Sequence, residues 1–455
     1  MLARLPPGEF AMRLQIAVVA TVLLAAPLAL AAADSAPVVT RSSATTLLHC
    51  GHLLDPAAGR TLGASTIVIE QDRVVAVEPG RSARPGAAVI DLGRSTCLPG
   101  LIDAHVHLTM QFGPTTYSDR FRLNPADYAI RGTLYARRTL LAGFTSVRNL
   151  GDIANESIAL RNAINSGLIA GPRIDTAGEP IGSTGGHADP TDGYRMDLAG
   201  DPGPLHGIID SPADAWKAVR EHYKLGVDVI KIMPSGGVLD ESASGDNPQM
   251  TLAEIQAVVA AAHDYGYTVA AHAHGAEAIR RAVLGGVDSI EHGTTMDAAD
   301  MVLMKQHGTW YVPTITAGEF VAAKARVPGY YPPQVAAKAA AIGPRIMATA
   351  GKAYRAGVRI AFGTDAGVYP HGDNAKEFAY MVEAGMPAMA AIQAATVNAA
   401  ALLRHPDEIG RIAPGYRADV IAVAGDPLAD VSLLQQVGFV MKDGVVFKRD
   451  GHAAG

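Results

Sequence analysis

Two histidines, His105 and His107, stand in the run Leu98-Pro-Gly-Leu-Ile-Asp-Ala-His-Val-His-Leu108. Side chains on a strand repeat their facing every second residue. Both imidazoles therefore leave one face at the end of an apolar strand, where they can share one metal ion. Alone, two such histidines are commonly ordinary polar side chains. More candidates follow along the chain. Lys231 sits within Val227-Asp-Val-Ile-Lys-Ile-Met233, on the same face as Val229 and Met233. A lysine inside an apolar strand either snorkels to the rim or needs a partner or a lowered pKa. His272 and His274 end Tyr267-Thr-Val-Ala-Ala-His-Ala-His274, His292 ends Val287-Asp-Ser-Ile-Glu-His292, and Asp365 ends Val358-Arg-Ile-Ala-Phe-Gly-Thr-Asp365. Each histidine has a structural reading as a hydrogen-bonded residue, and Asp365 before Ala366-Gly367 has one as a turn aspartate. Taken together they form a mixed nitrogen and oxygen donor set that suits Zn²⁺, Mn²⁺ or Co²⁺.

The middle of the chain must position these groups, and it alternates. Apolar strand-like runs end near His107, Val147, Thr176, Met233, His274, His292, Thr314 and Asp365, with helical patterns between them. Thr251 and Glu254 are spaced as a capping box at the start of one such helix. Eight strand–helix units predict a parallel (β/α)8 barrel of TIM type, whose active site lies at the carboxyl ends of its strands. A doubly wound sheet would carry a Gly-rich phosphate loop after its first strand, where this chain has His-x-His. The donors thus fall on strand ends one, four, five, six and eight.

Both ends of the chain read differently. Ser65-Thr-Ile-Val-Ile-Glu70 and Arg73-Val-Val-Ala-Val-Glu78 flank Gln71-Asp72, and Asp443-Gly444 separates two further β-rich runs. These are hairpin patterns. The expected fold is α/β: a barrel over 98–405 and a discontinuous β-sandwich domain built from both termini, 34–97 and 406–455.

The chain of 455 residues is 49% hydrophobic, carries a net charge of -6 and lacks a Lys/Arg stripe, which excludes nucleic acid as a partner. Residues 1–33 read as a cleaved signal peptide: Arg13, an apolar run from Ile16 to Leu30, then small residues. Pro27 and a length below the ~20 residues of a membrane span argue against a stable membrane anchor. The expected location is exported, periplasmic or secreted, with Met1 or Met12 as the start. Export permits a disulfide. Two cysteines in a large domain are nevertheless commonly free and buried, which is the expectation for Cys50 and Cys97.

The strand-end phrases, with Thr184-Gly-Gly-His187, Ile290-Glu-His-Gly293, Gly363-Thr-Asp365 and Pro370-His-Gly-Asp-Asn374, carry a resemblance. The chain resembles the metal-dependent amidohydrolase superfamily, in its imidazolonepropionase-like branch that includes Xaa-Pro dipeptidases, over everything after the leader. The resemblance implies two divalent ions, Zn²⁺ with Mn²⁺ or Co²⁺ as alternatives. His105, His107 and Asp365 would hold one and His272 and His292 the other, bridged by a CO2-derived carbamate on Lys231. It implies hydrolysis of C–N bonds in dipeptides of Xaa-Pro type or N-acyl amino acids, with Asp365 as the proton shuttle, and assembly into a homo-oligomer. His187, His274 and His371 are candidates for substrate binding. The long stretches 178–212 and 234–248 are candidate lids that shape the pocket. A same-fold alternative is a mononuclear cyclic-amide hydrolase or deaminase, in which His274-x-x-Glu277 would supply ligand and shuttle. A non-catalytic periplasmic binding protein is the alternative from another class.

Overall fold

The computed structural model describes residues 45–241 and 244–454. The expected leader over 1–33 lies outside the described residues. Five strands come first: β1 (Thr46–Asp55), β2 (Arg60–Leu62), β3 (Ser65–Glu70), β4 (Arg73–Pro79) and β5 (Ala88–Pro99). The barrel strands follow: β6 (Leu101–Val106), β7 (Phe144–Asn149), β8 (Arg173–Thr176), β9 (Ile230–Ile232), β10 (Val269–Ala273), β11 (Ser289–His292) and β12 (Trp310–Val312). Four more end the chain: β13 (Val420–Ala424), β14 (Phe439–Lys442), β15 (Val445–Arg449) and β16 (His452–Ala453).

The eighth barrel segment, over 358–366, pairs through isolated bridges rather than as a laddered strand. It nevertheless closes the ring. Ala361 N donates to the Tyr311 carbonyl at 3.0 Å on one side, and Ala104 N donates to the Phe362 carbonyl at 2.8 Å on the other. A similar seam joins β8 to β9 through the bridge of Ile181 with Ile232 and the bond from Asp228 N to the Thr176 carbonyl. Gly363 makes the closure geometrically feasible, because a Cβ there would collide with Val312 and crowd His105.

Barrel strands are covered on both faces, so their sequences run apolar without alternation. β6 is buried at every position, Asp103 and His105 included. Helices cover the outside, among them Leu252–Asp264 with the expected Thr251/Glu254 capping box. The main core joins Val106, Val147, Ile230, Ile290, Tyr311 and Phe362 to these helices. Truncating a residue such as Ile290 to Ala would cost about 2–5 kcal/mol.

The strands of both termini interleave in one nine-stranded sheet, with β5 between β1 and β13. The expected hairpins are there. β14 and β15 turn through Asp443 and Gly444, both at positive φ, as a two-residue loop between right-twisted strands requires. This sheet has its own core around Leu48, Ile67, Val420 and Phe439. The cysteine expectation is corrected here. Cys50 and Cys97 form a disulfide, with Cα atoms 5.9 Å apart. β1 and β5 run parallel in a register that sets Leu53 opposite Cys97, and a bulge after Cys50 brings the two sulfurs together. That long-range pairing is not visible in local sequence.

Candidate metal centre

Register alone delivers three donor groups to one point. His105 is the penultimate residue of β6, His107 directly follows that strand, and Asp365 lies near the end of the closing segment, whose backbone bonds lock it to β6 (Asp365 N to the His105 carbonyl, 2.7 Å). Their ligand atoms all lie within 4.8 Å of one another. Asp365 Oδ1 is 3.1 Å from His107 Nε2 and 3.5 Å from His105 Nε2. Each ring is oriented from its far side: His105 Nδ1 meets Glu291 Oε2 at 2.9 Å, and His107 Nδ1 donates to the Gly151 carbonyl at 3.0 Å. Both Nε2 lone pairs are thereby aimed at the centre, the arrangement a metal ligand needs.

The remaining donors line the same cavity of about 200 Å³. The His292 ring lies 4.9 Å from His105 and 4.6 Å from His272, centroid to centroid. His292 Nδ1 meets Thr314 Oγ1 at 2.8 Å, and His274 Nδ1 meets Thr294 Oγ1 at 2.7 Å. His272 Nε2 donates to the Gly236 carbonyl at 3.1 Å, which leaves Nδ1 as its lone-pair nitrogen. Three non-glycine residues at these strand ends, His292, Thr314 and Asp365, have φ of +67°, +53° and +60°. Left-handed backbone of this kind costs on the order of 1–3 kcal/mol per residue and clusters where side chains must be re-aimed for function.

Burial sets the charges. It pushes His105 down to about 4, helped by Lys231, and His274 to about 3, helped by His187. His272 and His292 fall well below the ordinary imidazole range for the same reason, so the rings are neutral at neutral pH. Burial also brings Lys231 down to about 8, against the pull of Glu291 and Asp365. Its Nζ has no hydrogen-bond or ion-pair partner among the described residues. Asp365 is opposed by burial, but His105, His107 and Lys231 outweigh it and hold the carboxylate below its ordinary range.

The structure gathers His105, His107, Lys231, His272, His274, His292, Asp365 and His187 around one cavity. It does not bring His371 to that wall. The His371 ring stacks on Tyr135 at 4.7 Å and donates through Nε2 to the Met110 carbonyl, which makes it a buried support of the loop after β6. Glu277 opens the helix Ala276–Gly285 and is half exposed, paired with Arg280 and Arg281, away from any role as shuttle. Segments 178–212 and 234–248 do reach the cavity, through Pro180, His187, Val238 and Leu239. Asp152 and Thr314 also line it, and most of the remaining wall is apolar, including Phe112, Val321, Ile342 and Ile346.

Sequence reasoning missed four supporting residues. Glu291 and Arg148 are buried beneath His105, and each passes for an ordinary alternating strand residue. Asp240 and Lys338 come from a loop and a helix. Asp240 Oδ2 meets His187 Nδ1 at 2.7 Å, and Lys338 Nζ meets Asp240 Oδ1 at 2.7 Å. No local pattern announces that contact. Among the described residues, no helix is long and apolar enough to cross a membrane.

Comparison with known proteins agrees with this geometry. The sequence profile of the amidohydrolase family matches residues 96–447. Ochratoxinase of Aspergillus niger is 32% identical over 93% of this chain and 90% of that enzyme. A crystal structure of a Xaa-Pro dipeptidase with methionine bound in its active site superposes with a TM-score of 0.87, at 49% identity, over 89% of this chain and 100% of that one. A prolidase in complex with N-methylphosphonate-L-proline gives a TM-score of 0.81 at 32% identity, over 89% and 100%.

Proposed function

Because the chain belongs to the amidohydrolase family and is a metal-dependent hydrolase of carbon–nitrogen bonds, we propose that it cleaves linear amides: dipeptides of Xaa-Pro type or N-acyl amino acids. The similarity to a Xaa-Pro dipeptidase and to ochratoxinase supports this choice of substrate. The observation that carries the reading is the closed set of His105, His107 and Asp365 at the cavity floor. These three would hold the first ion. A second ion, on His272 and His292 with a carboxylated Lys231 between the two, is part of the proposal and is supported by the ring spacings and the buried amine.

Bound divalent ions supply an activated water near neutral pH and polarise the scissile carbonyl. The chain's own groups do the rest. Asp365, held ionised, takes the proton of the attacking water and returns it to the leaving nitrogen, a base turned acid. Without that proton an amine is a poor leaving group. His274 and His187, each fixed through Nδ1, present Nε2 to the substrate's carbonyl or carboxylate. The apolar wall takes the substrate's side chain and excludes water.

The mononuclear alternative has a specific observation in its favour: His105, His107 and Asp365 are the set of three ligand atoms that closes among the described residues. Metal analysis separates the two readings. Close to two ions per active chain supports the binuclear centre, and one ion with an active Lys231→Ala variant supports the other. The substrate proposal is tested with a panel of dipeptides and N-acyl amino acids, with and without chelator. The expectation is turnover that chelator abolishes and divalent ion restores; metal-loaded protein inert toward every member would overturn it. Export into an oxidising compartment belongs to the same proposal and is supported by the Cys50–Cys97 disulfide.

A further inference from the structure

We infer that Glu291 and Arg148 form a buried positioning pair that fixes which nitrogen of His105 carries its proton, and so sets how tightly the His105 site holds its ion. The inference rests on the proposal that His105 is a ligand. Glu291 Oε2 meets His105 Nδ1 at 2.9 Å, while Glu291 Oε1 accepts from Arg148 Nη2 at 2.9 Å and from Ser289 Oγ at 2.6 Å. Arg148 is tied down at its other nitrogens, to the Ala104 carbonyl at 2.7 Å and Ser289 Oγ at 3.2 Å. Its anchors therefore belong to β6 and β11, the two strands that carry His105 and His292.

All of these groups are nearly inaccessible: Glu291 and Ser289 are 0% exposed, Arg148 and His105 1%. A carboxylate there without a cation would be strongly unfavourable. Arg148 keeps Glu291 as a charged acceptor in a fixed place. A charged carboxylate accepts only, so His105 must donate from Nδ1, and its Nε2 is left as a lone pair facing Asp365. The opposite tautomer would place a hydrogen on Nε2, where the ion must bind. The pair touches neither substrate nor ion; it acts through the ring.

Glu291→Gln is the informative change, because a glutamine amide of the same shape can either accept from Nδ1 or donate to it. Two readouts are needed beyond turnover: ion affinity by competition with a chelator, and the imidazole ¹⁵N spectrum of the metal-free protein, together with its melting curve. The expected result is an ion affinity about 10- to 100-fold weaker and a His105 signal shifted from pure Nδ1–H toward a mixture, in a protein that still folds. Arg148→Lys, which keeps a cation, should recover part of the affinity that Arg148→Met loses. Unchanged affinity and tautomer in Glu291→Gln would overturn the inference while leaving the site intact. So would a variant that melts early but whose folded fraction binds the ion normally, since that marks a structural role alone. If wild-type protein binds no ion through His105, the proposed function fails instead.

Discussion

Two corners of one cavity are built in different ways. The His105–His107–Asp365 corner is positioned by strand backbone, with Asp365 N bonded directly to the His105 carbonyl and the rings braced by Glu291 and Gly151. The His187–Asp240 corner is hung from loops. His187 follows Gly186 in the segment after β8, Asp240 lies in the segment after β9, and Lys338 of the helix Pro333–Arg355 pins both through Asp240. On the proposed function, chemistry that tolerates little displacement sits on the strand-built corner, and the surface that would choose a substrate is carried by loops. Damage to the first corner should therefore lower kcat, and damage to the second should raise KM.

The largest effect belongs to Asp365. Asp365→Asn is expected to lower kcat by about 10²–10⁴-fold and to reduce the ion content of the purified protein, read by steady-state kinetics and metal analysis. Lys231→Met comes next. It should lower turnover on the order of 10²-fold and remove one ion per chain if the centre is binuclear, with no loss of melting temperature, since an apolar side chain replaces a buried amine.

Lys338→Met tests the loop corner. With both side chains largely buried, 14% and 10% exposed, KM should rise about tenfold, equivalent to ~1.4 kcal/mol, while kcat and ion content change little. A fall in kcat with KM unchanged would erase the distinction between the corners. The smallest effect on turnover should come from the terminal sheet. Cys50→Ser opens a link spanning 47 residues and should cost about 4 kcal/mol of stability on a chain-entropy argument, seen in denaturant unfolding, with initial rates unchanged.

The strand corner was legible in the sequence for a physical reason. Strand alternation puts His105 and His107 on one face, and chain order puts Lys231, His272, His292 and Asp365 at strand ends four, five, six and eight of the barrel that the βα alternation announces. The terminal hairpins were legible from Gln71-Asp72 and Asp443-Gly444, because turn chemistry is local. The rest depends on long-range register. The Cys50–Cys97 link needs the parallel pairing of β1 with β5. Glu291 reaches His105 across 186 residues of chain, and Lys338 reaches Asp240 across 98. His371 has the residue type of a ligand and the neighbours of a structural prop, a difference that only packing reveals.

The most direct test of the metal site is an anomalous difference map of Zn²⁺- or Mn²⁺-loaded crystals of active protein. The account predicts a peak at coordination distance from His105 Nε2, His107 Nε2 and the Asp365 carboxylate. Active crystals with no ion at that point, or with the ion held by other residues, would contradict it.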